Sequence, residues 1–592
     1  MDHAPYLLAE QLEHDLGDPE DPAAVFNHAN CLALDETEEF PAAICRRLEE
    51  LGVHEYYVPA EHGGRLTTYE HVLQLIRTVA RRDLTVAIGH GKTYLGGVCV
   101  WVAGTPEQAA ALGADIRAGL PVSLGLTERA HGSDLLAGEV EGVAGPDGGY
   151  LVSGEKWLIN NATRGSVLSL LTRTDPEAGP RGFSVLLVDK RTIPQESYRH
   201  LPKIRTHGIR GADISGITFT DAPVPAAAVV GQPGNGIEIV LKALQLTRTM
   251  CAALSLGAAD HSLAIAMDFT EQRELYGRKL VELPQARHVL AGAVTDVLLD
   301  EALALTASRS VHTLTDELSV TAAVTKYLVP TGTETVIADL TRLLGARAFL
   351  KDVHARGMFQ KVDRDHRIVG LFDGNTLVNL NSLISQFRSL VRGWRRATGG
   401  VDGARAAYDL AAELPALEPD RLSLVARYGS GVLASLPGSV EALRTEADAN
   451  PALKPALALA ERTLAVTDQV HATMEMYQNA LTDVPPAAFE TAKRYALCFA
   501  AAASLGVWLH NHRAAEQGRT AALWQDGLWL RASLARLLTR LGEPTADDRE
   551  AADALLEQVR ALRAEGLLPS LLPLALTGAP TAVPDESEGT SC

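Results

Sequence analysis

Cysteines at pairing distance are missing. The six present (Cys31, Cys45, Cys99, Cys251, Cys498 and Cys592) are scattered through 592 residues without CxxC spacing. That argues against a metal site or a disulfide framework and fits a reducing cytoplasm. Basic charge is also scarce: 54 Lys and Arg face 73 Asp and Glu, for a formal net charge of −19. A general nucleic-acid binder needs clustered cations against phosphate, so no nucleic-acid partner is expected. No run of about 18 apolar residues stands out, and the acidic opening MDHAPYLLAEQLEHDLGDPED has no basic segment leading into an apolar one. A cytoplasmic protein without a membrane partner is expected. Catalytic signatures are absent too: there is no GxGxxG after a strand, no GxxxxGK[ST], no GxSxG and no HExxH. A nucleotide cofactor would therefore not sit in a Rossmann or P-loop unit.

What is present is ordinary globular material, 46 % apolar and 21 % charged, long enough for several domains. From about Glu38 to Gly119, EEFPAAICRRLEELGV and TTYEHVLQLIRTVARRD place apolar residues three and four apart, predicting helices. Between Leu120 and about Gly231 the pattern changes to short alternating runs, YLVSGEKWLI, VLSLLTRT, GFSVLLVD and ISGITFTD, separated by turn signals such as GPDGG. These predict a small barrel or sandwich. After Gly234-Asn235-Gly236 three long helical patterns with short connections predict a bundle. Ala397 to Tyr408 reads as a linker, and Ala- and Leu-rich helical stretches follow it. The expected domains are 1–119 (α-helical), 120–233 (β), 234–396 (bundle) and 405–580 (helical extension), with a disordered tail at 581–592.

The most informative segment is LGLTERAHGSD, Leu124 to Asp134, where hydroxyls, a glycine and backbone N–H groups gather at a strand edge. Taken alone it reads as a polar turn. Order changes that reading. LEELGV…VPAEHGG, LTERAHGSD, SGEKWLINNAT, ISGITFTDAPVP, RELYGRKL and RDHRIVGLFDGNT follow one another as they do in the acyl-CoA dehydrogenase family, which the chain resembles from Glu38 to about Arg392. The resemblance implies a mainly α fold with a central β-barrel: α-helical domain, β-barrel, four-helix bundle, here with a C-terminal helical domain. It also implies FAD bound across a subunit interface, an acyl thioester substrate on coenzyme A or acyl-carrier protein, and an electron-transfer flavoprotein or similar acceptor. A homodimer is expected.

Carried over residue by residue, the resemblance implies that Thr127 and Ser133 bind the flavin ring and pyrophosphate. Arg273, in RxxYG with Tyr276 and Gly277, reaches the pyrophosphate of the partner subunit's FAD. Asp373 falls where the family places the base that takes the α-proton, and Asn375 follows in the same motif. Several positions depart from the family pattern. Leu158 and Asn160 stand beside flavin N5, with Trp157 displaced by one; the adenine-end QxxGG reads Arg342-Leu343-Leu344-Gly345-Ala346; and the following glutamine falls on Pro284 or Gln285. The position before Arg248, used for the base by isovaleryl-type members, is Thr247, which leaves Asp373 as the matching carboxylate. Two other functions share the fold: a flavin monooxygenase or oxidase, and a flavin-binding scaffold without catalysis.

Overall fold

The computed structural model describes residues 3–145, 147–477, 483–545 and 547–578, so the expected tail at 581–592 lies outside the described residues. Helices begin well before Glu38: α1 (Ala4–Leu16) and α2 (His28–Thr37) precede α3 (Ala42–Glu50), α4 (Tyr69–Arg82), α5 (Leu84–Ala103) and α6 (Pro106–Arg117). Local chemistry sets the starts. Asp83 accepts the Val86 N–H at the head of α5, and Thr105 and Gln108 satisfy each other's backbone at the head of α6.

The four sequence-predicted strands coincide with β3 (Tyr150–Asn160), β4 (Val167–Arg173), β5 (Phe183–Asp189) and β7 (Ile214–Val224). Joined by β1 (Val122–Gly125), β2 (Glu141–Ala144), β6 (Tyr198–Leu201) and β8 (Val229–Val230), they form one mixed sheet of eight strands. Its order is β6-β7-β3-β2-β4-β5-β8, with β1 parallel on β4. The sheet curls around its own core of Val152, Ile159, Leu170, Leu186, Ile217 and Phe219, and the hydrogen-bonded path stays open between β6 and β8. A register shift between Trp157 and Ile159 turns Leu158 out at φ +56°.

Three long helices follow, as predicted: α7 (Gly236–Gln272), α8 (Pro284–Thr313) and α9 (Leu318–Leu344), with the β9–β10 hairpin (Glu274–Leu275, Arg278–Lys279) between the first two. Among the described residues only α7 has the length and apolarity to cross a membrane, and 94 % of that stretch is buried inside the protein. Packing against α4, α5, α8 and α9 accounts for its apolarity. Three shorter helices, α10 (Met358–His366), α11 (Thr376–Ile384) and α12 (Phe387–Arg396), complete this region.

The expected linker is not one. Val401–Tyr408 forms α13, whose Ala404, Ala407 and Tyr408 are fully buried, and the helix packs on α8. Gly399 and Gly400 only turn the chain, with Gly399 at φ +140°, and the Glu317 carboxylate fixes the turn by accepting the N–H groups of Gly400 and Gly431. The extension continues through α14 (Gly431–Ala434), α15 (Leu436–Ala449), α16 (Lys454–Glu475), α17 (Pro486–Ala515), α18 (Ala521–Trp524), α19 (Leu528–Arg540) and α20 (Asp547–Ala564). Helices α17, α19 and α20 cover α8. Asp296–Arg536 at 2.8 Å, Glu271–Arg560 at 2.6 Å and Asp268–Arg563 at 2.6 Å tie bundle to extension.

One buried carboxylate links three parts of the chain. Glu301 of α8 accepts hydrogen bonds from Tyr6 of α1 (2.5 Å), Arg77 of α4 (2.6 Å), the Leu571 N–H (2.9 Å) and the Ser570 hydroxyl. Arg77 also forks onto Asp260 of α7 at 2.8 and 3.0 Å. A buried ion pair is tolerated only when its remaining lone pairs and protons are matched, as they are here.

Candidate active site

Helix α5 contains one charged side chain, Lys92, in twenty residues. The sheet docks on either side of it: the Gly89 carbonyl accepts from Asn161 Nδ2 at 2.9 Å, and the Gly96 carbonyl accepts from Ser169 Oγ at 2.7 Å. A Cβ on Gly96 would lie 2.4 Å from the Val122 carbonyl carbon, so only glycine lets β1 come this close. Lys92 Nζ crosses to the loop before α11 and contacts both oxygens of Asp373, at 3.2 and 3.0 Å, while lying 3.7 Å from the centre of the Phe372 ring.

Asp373 and Gly374 both have left-handed backbone, at φ +55° and +93°. Aspartate tolerates that region better than most residues. Arg248 of α7 donates Nε–H to the Asp373 carbonyl at 2.9 Å, and a Cβ on Gly374 would meet Arg248 Nη2 at 2.8 Å. The Cys251 thiol, pushed up to about 11 by burial, lies 3.7 Å from Asp373 Oδ2. Lys326 of α9 is buried, which lowers its pKa, and it donates to the Val369 carbonyl at 2.5 Å.

The Lys92–Asp373 pair sits in the wall of an otherwise apolar cavity lined by Val72, Ile76, Ile88, Leu95, Met250 and Leu254, with Tyr57, Tyr94 and Thr247. It holds about 420 Å³ of atom-free space, its open mouth included. Tyr57, hydrogen-bonded to His90 Nδ1 at 2.7 Å, also lines a second hollow with Glu49, His54, Asn161 and Arg164 among others. A carboxylate in the wall of an apolar hollow is suited to taking a proton from a bound chain.

The LTERAHGSD segment is shaped by a residue that its hydroxyls and glycine did not point to. Glu128 accepts from Lys156 Nζ at 2.7 Å and from the backbone N–H groups of Glu139 and Val140 at 2.6 and 3.2 Å. Lys156 also donates to the Leu126 carbonyl at 3.1 Å, and the Thr127 carbonyl accepts the Trp157 N–H at 2.9 Å. Thr127, Leu158 and Asn160 are thereby held on neighbouring backbone, with Ser133 exposed on the loop beyond. Two polar atoms there, Trp157 Nε1 and Asn160 Oδ1, are buried without a partner, which fits a polar ring system set against this edge.

The remaining sequence candidates lie elsewhere. Asn375 caps α11, its Oδ1 accepting the Val378 N–H at 3.0 Å. Arg273 closes α7, and Tyr276 stands 94 % exposed on the β9–β10 hairpin at φ +56°. Gln285 opens α8 and is exposed; Arg342 pairs with Asp339 near the end of α9, and Gly345 terminates that helix at φ +60°. Arg248 and Arg273 are separated by about 37 Å along α7 at 1.5 Å per residue. The structure thus places Asp373 on the cavity wall against Lys92 of α5, keeps Thr127, Leu158 and Asn160 with β1 and β3 on the sheet that packs against α5, and sets Arg273 and its neighbours apart from the cavity of their own chain.

Sequence reasoning missed Lys92 and the Glu128–Lys156 pair. The signal for Lys92 was available: a lone charge in the apolar run LTVAIGHGKTYLGGVCVWVA. No local pattern pairs Glu128 with Lys156 across 28 positions.

Models of the acyl-CoA dehydrogenase N-terminal, middle and C-terminal domains match residues 27–119, 123–222 and 234–386. A cyclohex-1-ene-1-carbonyl-CoA dehydrogenase of Syntrophus aciditrophicus (strain SB) is 25 % identical over 352 residues, covering 59 % of this chain and 82 % of that one. A probable acyl-CoA dehydrogenase FadE25 of Mycobacterium tuberculosis (strain ATCC 25618 / H37Rv) is 25 % identical over 346 residues, covering 58 % and 87 %. Butyryl-CoA dehydrogenase from Megasphaera elsdenii superposes with TM-score 0.58 at 21 % identity, over 64 % of this chain and 95 % of that one. An acyl-CoA dehydrogenase complexed with FAD from Bacillus anthracis gives 0.61 at 18 % identity over 94 % and 95 %, so its likeness in fold includes the extension.

Proposed function

Because the chain belongs to the acyl-CoA dehydrogenase family, whose members are FAD-dependent oxidoreductases, we propose that it oxidises an acyl thioester to the trans-2-enoyl thioester. The observation that carries this reading is the Asp373 carboxylate in the wall of the apolar cavity. The cavity takes the acyl chain, and Asp373 takes the proton from its α-carbon. FAD, when bound, supplies the acceptor for the hydride that leaves the β-carbon. Arg248 holds the base-bearing loop from behind, so the carboxylate is oriented before substrate arrives.

Thr127, Ser133, Leu158, Asn160 and Asn375 would hold the flavin end of FAD, which the partnerless Asn160 Oδ1 and Trp157 Nε1 support. Arg273, Tyr276, Gln285, Arg342 and Gly345 would hold the far end of the cofactor bound by a second subunit, a guanidinium fork suiting pyrophosphate. The exposure of Tyr276 (94 %) and Phe349 (86 %) supports a partner there. The extension covers α8, which supports a homodimer rather than a larger assembly. The thioester carrier is coenzyme A or acyl-carrier protein, the acceptor an electron-transfer flavoprotein or similar protein, and the setting cytoplasmic.

The test is the absorption spectrum of the purified protein, followed by anaerobic bleaching with a panel of acyl thioesters and light scattering. Flavin absorbance, bleaching by at least one thioester and a dimer mass are expected. A colourless protein that FAD cannot reconstitute rejects the reading.

A further inference from the structure

Lys92 is the one cation within hydrogen-bonding reach of the carboxylate oxygens of Asp373 among the described residues. The other charged or titratable groups facing that carboxylate are engaged differently. Arg248 of α7 is bound to the main-chain carbonyl of Asp373, Cys251 of α7 brings a thiol to 3.7 Å, and Lys326 of α9 is bound to the Val369 carbonyl. The walls around the pair are Val72, Ile76, Leu95, Met250 and Leu254. A carboxylate in such walls calls for a counter-charge, because burial penalises charge, and a base must present a free oxygen lone pair to the α-proton.

Resting on the reading of Asp373 as the base, we infer that Lys92 is a positioning residue for it: the ammonium fixes the carboxylate's orientation and supplies its counter-charge inside an apolar chamber until substrate is in place. The proton balance is consistent with this. The α-C–H bond breaks, its electron pair becomes the π bond between Cα and Cβ, the proton goes to one Asp373 oxygen, and FAD, when bound, would supply the acceptor for the β-hydrogen and its electron pair. Lys92 contacts both oxygens, so the one that stays unprotonated keeps its hydrogen bond through the step. The Phe372 ring, 3.7 Å from Nζ, holds the ammonium over the loop while the charge on Asp373 changes.

The experiment is the pH profile of anaerobic flavin bleaching in the FAD-loaded protein, for wild type, Lys92→Met, Lys92→Arg and Asp373→Asn, with FAD content measured in each. Lys92→Met is expected to keep FAD but to lose activity at higher pH than wild type, the acid limb moving up by at least about one pH unit. Lys92→Arg is expected to restore the limb. Should Lys92→Met fail to fold, Lys92→Gln, a donor without charge, makes the same comparison. An acid limb that stays put in the neutral variant overturns the role of Lys92 while Asp373→Asn is inactive. Full bleaching by Asp373→Asn overturns the reading of the base itself, and a wild-type protein that no thioester bleaches overturns both.

Discussion

Arg248 donates its Nε–H to the main-chain carbonyl of Asp373 at 2.9 Å, across 125 positions of sequence. The contact is to the backbone, so the arginine governs where the carboxylate stands, while its own burial, with its guanidinium beneath Gly374, leaves little room for another residue.

Arg248→Ala is therefore expected to retain FAD while slowing flavin bleaching. Losing a hydrogen bond from a charged donor costs about 1.5–3 kcal/mol, which corresponds to a rate loss of roughly tenfold to a hundredfold if the loop must be re-ordered in each turnover. Single-turnover bleaching with FAD content checked by absorbance decides it, and an unchanged rate removes the clamp from the mechanism.

Asp373→Glu lengthens the base by one methylene and places glutamate at φ +55°, a region that aspartate tolerates better. A misplacement of about 1 Å costs on the order of a hundredfold, so the variant is expected to bleach more slowly than wild type but faster than Asp373→Asn. A rate for Asp373→Glu equal to that of wild type would show that reach and backbone do not matter here.

The Glu301 hub joins α1, α4, α8 and the chain after α20, so its loss should loosen parts far apart in sequence. Glu301→Leu leaves Arg77 with only Asp260, and removing one partner of a buried pair costs about 3–5 kcal/mol. Urea unfolding should show that loss of stability, and limited proteolysis should cut between Ala564 and Gly578 sooner than in wild type. Cleavage confined to the surface loops of the sheet would contradict the hub.

Burial lowers His90, His261 and His366 to about 3 each. In the unfolded chain they take up protons near the ordinary value of about 6.5, so the unfolded state binds more protons and stability falls as pH drops from about 6.5 toward 3. Glu13 acts lower: burial pushes it up, but Arg81 and Arg82 outweigh that and leave it at about 2, so its contribution is lost only as pH falls below about 4.5. Between 6.5 and 4.5 these histidines lower stability as pH falls, while buried carboxylates such as Asp300 and Glu317, pushed up by burial, act in the opposite sense. His366→Gln should make the slope of unfolding free energy against pH shallower there by up to about one proton, or about 1.4 kcal/mol per pH unit. Denaturant titrations at several pH values measure it; an unchanged slope would mean that His366 is already protonated in the fold.

Much of this was legible in the sequence, and the exceptions have physical reasons. Period-four runs located α4 and α7, and alternation located β3, β4, β5 and β7, because each buries one face against a core. The stretch Ala397 to Tyr408 was misread since two glycines mask a short helix whose buried face, Ala404, Ala407 and Tyr408, is stabilised by tertiary packing on α8 rather than by length. Asp373 and Thr127 were singled out through ordered motifs. Lys92 was not, because its meaning depends on a carboxylate 281 positions away, and only the fold brings the two together.

Helix α7 is 37 residues long, or about 55 Å from end to end at 1.5 Å per residue. It carries Arg248 beside the base about a third of the way along and leads into Arg273 at its far end. If each cofactor takes its base from one chain and its phosphate clamp from the partner, two individually inactive chains can repair each other. Asp373→Asn and Arg273→Ala subunits, refolded together in equal amounts, should regain activity in about a quarter of all sites, since half of randomly paired dimers are mixed and each mixed dimer contains one intact site. Neither variant alone should recover under the same treatment. Such complementation is a property of the pair rather than of any one polypeptide, and it would make two damaged copies of the chain jointly sufficient where either by itself is silent.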